Sequence, residues 1–227
     1  MRAFLYAYMT QGTFEFLCKQ NCVHLIPVTT RSKAQYERIS VFRKELRCKY
    51  ALICNGGILL VDGIEDPAWY SETLALISSE LPELQATKEL VQHVSPSLRL
   101  HDVCGLFFYV KHDTSALFAE QIRQIASPKN ISILHDRHKV YCLPSMLNKG
   151  KAIERFAQRF GDTVSIAAGD SEFDIPMLAY ADTRIIPPVL EQYLPTENTI
   201  TISTSVFSDG ICNYLSTIAK RGTHKHE

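Results

Sequence analysis

The sequence predicts an α/β protein whose parallel sheet is interrupted by an inserted α+β module. Short apolar runs followed by helical stretches stand towards both ends of the chain, at residues 22–30 and 163–170. This order is typical of parallel strands that are joined by helices. Between them, from residue 65 to residue 144, helical stretches alternate with segments that suit antiparallel strands.

The first part of the chain is predicted to form a helix, a strand, a second helix and a hairpin. Thr10 or Thr13 caps the first helix, and the strand "CVHLIPVTT" ends in hydroxylated residues. Asn55-Gly56 indicates a tight hairpin turn, since such turns need positive φ. These four elements are, in order, residues 10–21, 22–30, 32–46 and 50–63.

The rest of the chain divides at residue 145. The inserted module ends in the strand pair "ISILHD" and "HKVYCLP", which reads as a hairpin. An amphipathic helix then ends near Gly161, and "TVSIAAGD" is a continuous apolar strand. The next helix contains Pro176 in its first turn, where proline is tolerated. Two short strands and a last helix, residues 209–219, complete the pattern.

Composition excludes several classes of partner. Lys+Arg and Asp+Glu both number 24, so the formal net charge is zero and predicts neither nucleic acid nor an anionic membrane as partner. No stretch approaches the roughly 20 apolar residues of a membrane helix, and no signal-peptide cleavage site is evident. The seven cysteines include no C-x-x-C pair. We therefore expect buried free thiols and a reducing, cytoplasmic location, rather than a disulfide or zinc framework.

Polar groups that suit phosphoryl transfer stand where the predicted strands end or the next helices begin. Thr29 ends the first strand, Lys149 starts the helix after the inserted module, and Asp170 ends a later strand, with Asp174 in the following helical turn. Ligands of open parallel sheets bind at the carboxyl ends of the strands. Carboxylates suit Mg²⁺, while a hydroxyl and an ammonium suit a phosphate. Together these residues predict a magnesium-assisted phosphoryl-transfer site.

Each of these residues also has a simpler interpretation when taken alone. A threonine at a strand end is often structural, a Lys-Gly pair at a helix start is usually on the surface, and either aspartate could cap the next helix. It is the combination, in the order threonine, lysine and two aspartates, that favours the functional interpretation.

Three segments resemble motifs two, three and four of the haloacid dehalogenase (HAD) superfamily: "PVTTRS", "NKGKAIERFAQRF" and "GDSEFDIPML". The stretch "CNGG" and the insertion that follows it resemble the subclass with a C2-type cap, which includes Cof-type sugar phosphatases, sucrose-phosphate phosphatase and mannosyl-3-phosphoglycerate phosphatase. The resemblance implies a Rossmann-like core at residues 1–64 and 145–227, and an α+β cap at residues 65–144. We call these the predicted core and the predicted cap.

The resemblance also implies roles in catalysis and metal binding. Thr29 would bind the transferring phosphoryl group, and Lys149 would hold that phosphate and the nucleophile in register. Asp170 would ligate Mg²⁺, with Asp174 supporting the ion directly or through water. The substrate would be a small phosphorylated metabolite, and a sugar phosphate is expected.

Four further residues are implied to contact the substrate. Thr30 and Arg31 would flank the phosphate, and Ser171 would contact phosphate or a metal-bound water. Asn55 would face the substrate between core and cap, although the role of a turn residue is the more ordinary explanation of its position. Asp209, in "FSDGI", is expected to be structural.

The first motif of the family, D-x-D-G-T, has no match in the sequence. Its first aspartate would be the nucleophile. One explanation is substitution, with Tyr6 and Tyr8 in place of the aspartates. The other is truncation, which the spacing favours because Thr29 follows Tyr8 by only 21 positions. Codons upstream of Met1 would distinguish the two, and either explanation predicts a poor catalyst.

The sequence bears on three functional classes. The first is a Mg²⁺-dependent phosphatase, and the second is a non-catalytic relative that binds a phosphorylated ligand or a protein partner. The third, a phospho-receiver domain, is rejected because its acidic cluster precedes its threonine and its lysine comes last, unlike the order found here.

Overall fold

A computed structural model describes residues 9–20, 23–161 and 163–223 of the chain. Its helices are α1 (Gln11–Lys19), α2 (Lys33–Tyr36), α3 (Val41–Lys44), α4 (Pro67–Ile77), α5 (Leu81–Val94), α6 (Ser115–Ala126), α7 (Lys149–Phe160), α8 (Ile175–Tyr180) and α9 (Phe207–Thr223). Its strands are β1 (Tyr50–Ile53), β2 (Ile58–Val61), β3 (Ile64–Glu65), β4 (His101–Val103), β5 (Phe107–Lys111), β6 (Ile131–Asp136), β7 (Lys139–Pro144), β8 (Ile166–Ala168), β9 (Thr183–Ile186) and β10 (Thr199–Thr201). Short 3-10 turns span Cys54–Gly56, Glu172–Asp174 and Pro188–Tyr193.

The four-stranded sheet lies within the predicted cap and is antiparallel, with the strand order β4-β5-β7-β6. The predicted hairpin of β6 and β7 is confirmed, with paired residues from Ile131↔Pro144 to Asp136↔Lys139. Alternate residues face opposite sides, as the period of a strand requires. Phe108 packs with the apolar residues of α6, whereas Phe107 belongs to a separate cluster that also contains residues of β1 and β2.

Two smaller sheets lie in the predicted core, apart from Glu65 of β3, which is the first residue of the predicted cap. Strands β1, β2 and β3 form an antiparallel sheet, and β10, β9 and β8 form a parallel one. The prediction of an α/β fold with parallel strands is therefore confirmed. Residues of α7 and α8 bury apolar side chains against both sheets in one cluster, which includes Leu52, Phe156, Ala167, Leu178 and Ile186.

Residues 22–30 were expected to form a strand, but the described residues 23–30 form only one bridge. Val28 pairs in parallel with Leu52, whose N–H donates to the Pro27 carbonyl at 2.8 Å, while Thr29 donates to the Leu52 carbonyl at 2.9 Å. Pro27 has no N–H to extend a ladder. Among the described residues, moreover, no second strand pairs with this segment.

Two other local expectations were imprecise. The predicted helix at residues 32–46 is broken into α2 and α3. The hairpin at Asn55-Gly56 exists, but its loop is four residues long because Ile53 pairs with Ile58. The loop packs closely on α7, where a Cβ on Gly56 would lie 2.1 Å from the Cβ of Ala152.

The cysteine prediction was partly wrong. All six described cysteines are free thiols, and Cys54, Cys142 and Cys212 are buried, but Cys18 and Cys104 are exposed. Cys104 is exposed because it lies in the turn between β4 and β5 rather than inside an apolar strand. Cys22, Tyr6 and Tyr8 lie outside the described residues.

The two ends of the described chain are tied together by polar contacts. The Thr10 hydroxyl accepts a hydrogen bond from the Thr13 N–H at 3.0 Å, so the predicted cap of α1 is present. Both threonine hydroxyls donate to the Asp209 carboxylate at the start of α9. Asp209 thus has a structural contact, as expected. Over the residues that the structure describes, no helix is both long and apolar enough to cross a membrane.

Candidate active site

Lys149 is the first residue of α7, and its ammonium is buried. The Asn148 side chain caps the helix by accepting from the Lys151 N–H at 2.9 Å. Lys149 is only 7% exposed, and its Nζ donates to Asp174 Oδ1 at 2.5 Å. Gly150 lets α7 approach α8, because a Cβ there would lie 2.4 Å from the Pro176 carbonyl oxygen. The Lys-Gly pair is therefore an interior feature, not a surface one.

The carboxylate of Asp174 organises the turn that follows β8. Its Oδ2 accepts from the Asp170 N–H at 3.1 Å, the Ser171 N–H at 3.1 Å and the Ser171 hydroxyl at 2.8 Å. Gly169 is needed for this close approach, since a Cβ there would lie 2.3 Å from the Asp174 Cβ. With both oxygens engaged, Asp174 orients Lys149 and the preceding loop.

Asp170 presents its carboxyl beside this pair. It is exposed as a residue, yet burial of the carboxyl and then the Asp174 charge raise its pKa, while Lys149 lowers it. Within residues 9–20, 23–161 and 163–223 its carboxylate forms no salt bridge. A bound cation would lower this raised pKa, because a nearby positive charge favours the ionised carboxylate.

Thr29 and Asn55 lie on adjoining loops that share hydrogen bonds. Thr29 Oγ1 accepts from the Arg31 N–H at 3.3 Å, and the Thr29 carbonyl accepts from the Asn55 N–H at 2.8 Å. Asn55 is 3% exposed, and its Nδ2 donates to the Leu147 carbonyl at 2.8 Å. Its Oδ1 has no hydrogen-bond partner among the described residues, so Asn55 has a buried acceptor to offer in addition to its place in the turn.

The structure brings the predicted residues into two groups. Lys149, Asp170, Ser171 and Asp174 are in direct contact, and Thr29, Arg31 and Asn55 form the second group. Asn55 links the two groups, because its side-chain amide donates to the Leu147 carbonyl and Leu147 lies two residues before Lys149. Among the described residues, no hydrogen bond joins Thr29 or Thr30 to the first group, so a shared phosphate remains a prediction.

Residues of the predicted cap adjoin this site, and of these the sequence did not single out Lys139 or Tyr141. Lys139 Nζ lies 4.7 Å from the ring centroid of Tyr109 and 5.8 Å from that of Tyr141. The Tyr141 ring packs edge-on at 5.1 Å against Phe173, within the fourth motif. Burial lowers the pKa of Lys139, and the charges of Lys111 and Arg31 lower it further. The alternation in "HKVYCLP" could have placed Lys139 and Tyr141 on one strand face.

A cavity of about 420 Å³ is lined by both the predicted core and the predicted cap. Asn55, Asn148 and Glu172 bring polar groups from the core side, and Ser132 and Leu134 belong to β6. Its mixture of a few polar groups and apolar walls is typical of small-molecule sites.

The side chains of the site that could donate to a metal ion bear on whether Mg²⁺ would fit there. Over the described residues, no group of three or more His, Cys, Asp or Glu is placed to hold a metal ion. Mg²⁺ needs fewer protein ligands than this, because it keeps several waters and often takes one or two carboxylates together with a phosphate. The carboxylate of Asp170 fits that requirement, and Asp174 is better placed to act through hydrogen bonds.

Comparisons with known proteins agree with this fold. No family model and no curated protein matches the sequence. Among solved structures, the sucrose-phosphatase of Synechocystis, in complex with sucrose and phosphate, is similar with a TM-score of 0.61 and 16% identity, covering 86% of this chain and 84% of that chain. A HAD subclass IIB sugar phosphatase gives a TM-score of 0.60 and 13% identity over 93% of this chain and 92% of that one.

A trehalose-6-phosphate phosphatase of Aspergillus fumigatus is similar with a TM-score of 0.51 and 13% identity, covering 93% of this chain and 86% of that chain. All three of these similar structures are phosphatases, and one of them is a HAD-superfamily sugar phosphatase. The chain has their fold, a Rossmann-like α/β core with a cap, so the resemblance seen in the motifs is confirmed for the fold.

Proposed function

We propose that this chain is a HAD-type, Mg²⁺-dependent phosphatase of a small phosphorylated metabolite, with a sugar phosphate as substrate and the cytoplasm as its location. The observation that carries the proposal is the buried ammonium of Lys149, held at a helix start beside the Asp170 carboxyl. A helix N-terminus favours an anion, and a fixed ammonium stabilises the charge of a transferring phosphoryl group.

The residues have distinct roles in this proposal. Lys149 Nζ and Thr29 Oγ1 bind the phosphate, while Thr30, Arg31 and Ser171 flank it. Asp174 acts as a positioning residue, since its carboxylate holds Lys149 and the turn. Asp170 would hold Mg²⁺, which when bound neutralises the phosphate charge and orients it.

The remainder of the substrate would contact the predicted cap, residues 65–144. The Lys139 ammonium on the Tyr109 and Tyr141 rings offers hydrogen-bond donation beside flat apolar faces, which suits a polyhydroxylated ring. The cavity lined by Asn55 supplies room for such a group. That a similar structure holds sucrose and phosphate supports a sugar phosphate as the class to test first.

A second candidate function is favoured by the sequence. The 227 residues contain no D-x-D motif, and without a nucleophilic carboxylate no aspartyl-phosphate forms. Loss of a catalytic nucleophile costs several orders of magnitude in rate. The alternative is therefore a non-catalytic protein that binds a phosphorylated ligand at the same residues.

The experiment measures binding and turnover separately. Glucose 6-phosphate with Mg²⁺ is added to the full chain, with glucose as control, and binding is followed by calorimetry while phosphate release is assayed. Asp170→Asn should abolish the Mg²⁺-dependent part of binding, and Lys149→Met should abolish phosphate binding. Lys151→Met, on the exposed side of α7, serves as the matched control and should bind normally.

The outcomes distinguish the two functions. Binding with slow phosphate release that Asp170→Asn removes supports the phosphatase, and binding without release supports the non-catalytic protein. If a panel of sugar phosphates neither binds nor is hydrolysed, both functions are wrong.

A further inference from the structure

Cys54 lies in the loop after β1, where the predicted core meets the predicted cap. It is fully buried, at 0% exposure. Its N–H donates to the Arg31 carbonyl at 2.8 Å, and the N–H of the next residue, Asn55, donates to the Thr29 carbonyl at 2.8 Å. Cys54 is therefore fixed to the backbone that carries Thr29 and Arg31.

Cys104 approaches from the predicted cap, in the exposed turn between β4 and β5. The Tyr70 hydroxyl donates to the Cys104 carbonyl at 3.0 Å. The Gly105 N–H donates to the Asp102 carboxylate at 2.8 Å. These contacts hold the turn in place and leave the thiol within reach of solvent.

The two sulfur atoms are 3.5 Å apart, with the Cys54 thiol donating to the Cys104 sulfur. Both residues have a left-handed backbone, with φ of 52° at Cys54 and 56° at Cys104. Non-glycine residues rarely adopt this region. A disulfide bond is about 2.0 Å long, so a shift of about 1.5 Å would bring the sulfurs into bonding distance.

The surroundings make one thiol of the pair reactive. The hydrogen bond from Cys54 lowers the pKa of Cys104, and the same contact, with burial, raises the pKa of Cys54. Burial raises the pKa of Cys142 to about 12 and that of Cys48 to about 11. Because the thiolate is the nucleophile, Cys104 is the better nucleophile of these four.

We propose that Cys54 and Cys104 form a reversible oxidation site, at which a peroxide converts the thiol pair into a disulfide between the predicted core and the predicted cap. The Cys104 thiolate attacks one peroxide oxygen, the O–O bond breaks, and the departing hydroxide takes a proton to become water. The Cys54 sulfur then attacks the Cys104 sulfenic acid. The S–O bond of the sulfenic acid breaks, and its hydroxyl leaves as a second water together with the proton of the Cys54 thiol.

The step is balanced. The two thiols lose two electrons and two protons, and one hydrogen peroxide is reduced to two waters. A dithiol reductant returns both thiols. The bond would tie the cap turn to the loop beside Thr29, so oxidation would restrict movement between them, whether or not the chain is a phosphatase.

The test uses the full reduced chain and one equivalent of hydrogen peroxide. After alkylation in denaturant, thiols are counted and peptides are mapped by mass spectrometry. Two of the seven thiols should be lost, a peptide joining Cys54 to Cys104 within one chain should appear, and dithiothreitol should reverse both changes. Cys18→Ser removes the other cysteine that is exposed among the described residues, and it should leave this result unchanged.

Two variants separate the steps. Cys104→Ser changes an exposed side chain, and peroxide consumption should fall at least about tenfold because the thiolate is lost. Cys54→Ser should leave a sulfenic acid at Cys104 that dimedone traps. The proposal is overturned if thiols are lost without the linked peptide, if only links between chains form, or if Cys104→Ser reacts at the wild-type rate.

Discussion

The predicted cap and the predicted core are built in contrasting ways. In the cap, β7 is paired on both sides, with six residue pairs to β6 and four to β5. In the core, β8 forms three pairs with β9 and no others among the described residues, and residues 23–30 contribute one bridge to Leu52. The cap is held by a continuous ladder, whereas the core sheets are short.

The difference shows how the candidate site is held. Antiparallel hairpins join neighbours in the sequence, so their pairing costs little loop entropy. The site residues come from distant segments, and side-chain contacts join them instead. These contacts are the Lys149–Asp174 ion pair and the close packing at Gly150 and Gly169.

The largest expected effect tests whether the ion pair holds the core. Lys149→Met leaves the Asp174 carboxylate buried without its partner, and breaking a buried pair costs about 3–5 kcal/mol. Urea unfolding measures the loss. Lys151→Met removes the exposed pair with Glu154 and should cost no more than about 1 kcal/mol. Equal losses of stability in the two variants would show that the buried ion pair does not hold the core.

The next prediction compares the two sheets directly by hydrogen exchange. Amides of β7 that are bonded within the cap ladder should exchange about 100-fold more slowly than those of β8 and Thr29, because short, one-sided pairing opens more easily. Mass spectrometry of exchanged peptides resolves these segments. Similar protection in both would show that pairing is not what distinguishes cap from core.

A smaller effect tests the close packing of α7 on α8. Gly150→Ala places a methyl group against the Pro176 carbonyl and should destabilise by about 1–3 kcal/mol. Gly12→Ala in α1 is the matched control, since the nearest atom to its added Cβ lies 3.9 Å away, and it should stabilise by about 0.5–1 kcal/mol. Denaturation midpoints of the two variants should move in opposite directions.

The smallest effect concerns the pH dependence of stability. The pKa of Asp170 is raised above its usual 3.8, so the folded state holds this proton more tightly than the unfolded state. Stability therefore falls as pH rises from 3.8 through the folded pKa. Asp170→Asn removes this loss and, near pH 7, should be more stable by no more than about 1 kcal/mol, since solvent screens the group.

Thermal unfolding of both proteins between pH 3 and pH 8 measures this. Their stability difference should grow from acid to neutral pH and then become constant. A variant that is less stable than the wild type at neutral pH would contradict the assigned cause. A small gain in stability with loss of Mg²⁺-dependent binding would mark Asp170 as functional.

The sequence by itself determined the elements with strong local signals. Thr10 as the cap of α1, Gly161 at the end of α7, and the hairpin of β6 and β7 were all predicted, because capping, positive φ and strand alternation act within a few residues. Spacing also identified Lys149, Asp170 and Asp174, which the structure brings into contact.

Tertiary structure alone decided the rest. The segment at residues 23–30 forms a bridge instead of a strand because strand pairing depends on neighbours distant in sequence. The exposure of Cys104, its contact with Cys54, and the place of Lys139 beside the site likewise depend on how the cap packs on the core. Local propensities carry no information on such packing, because it is set by contacts between segments that are far apart along the chain.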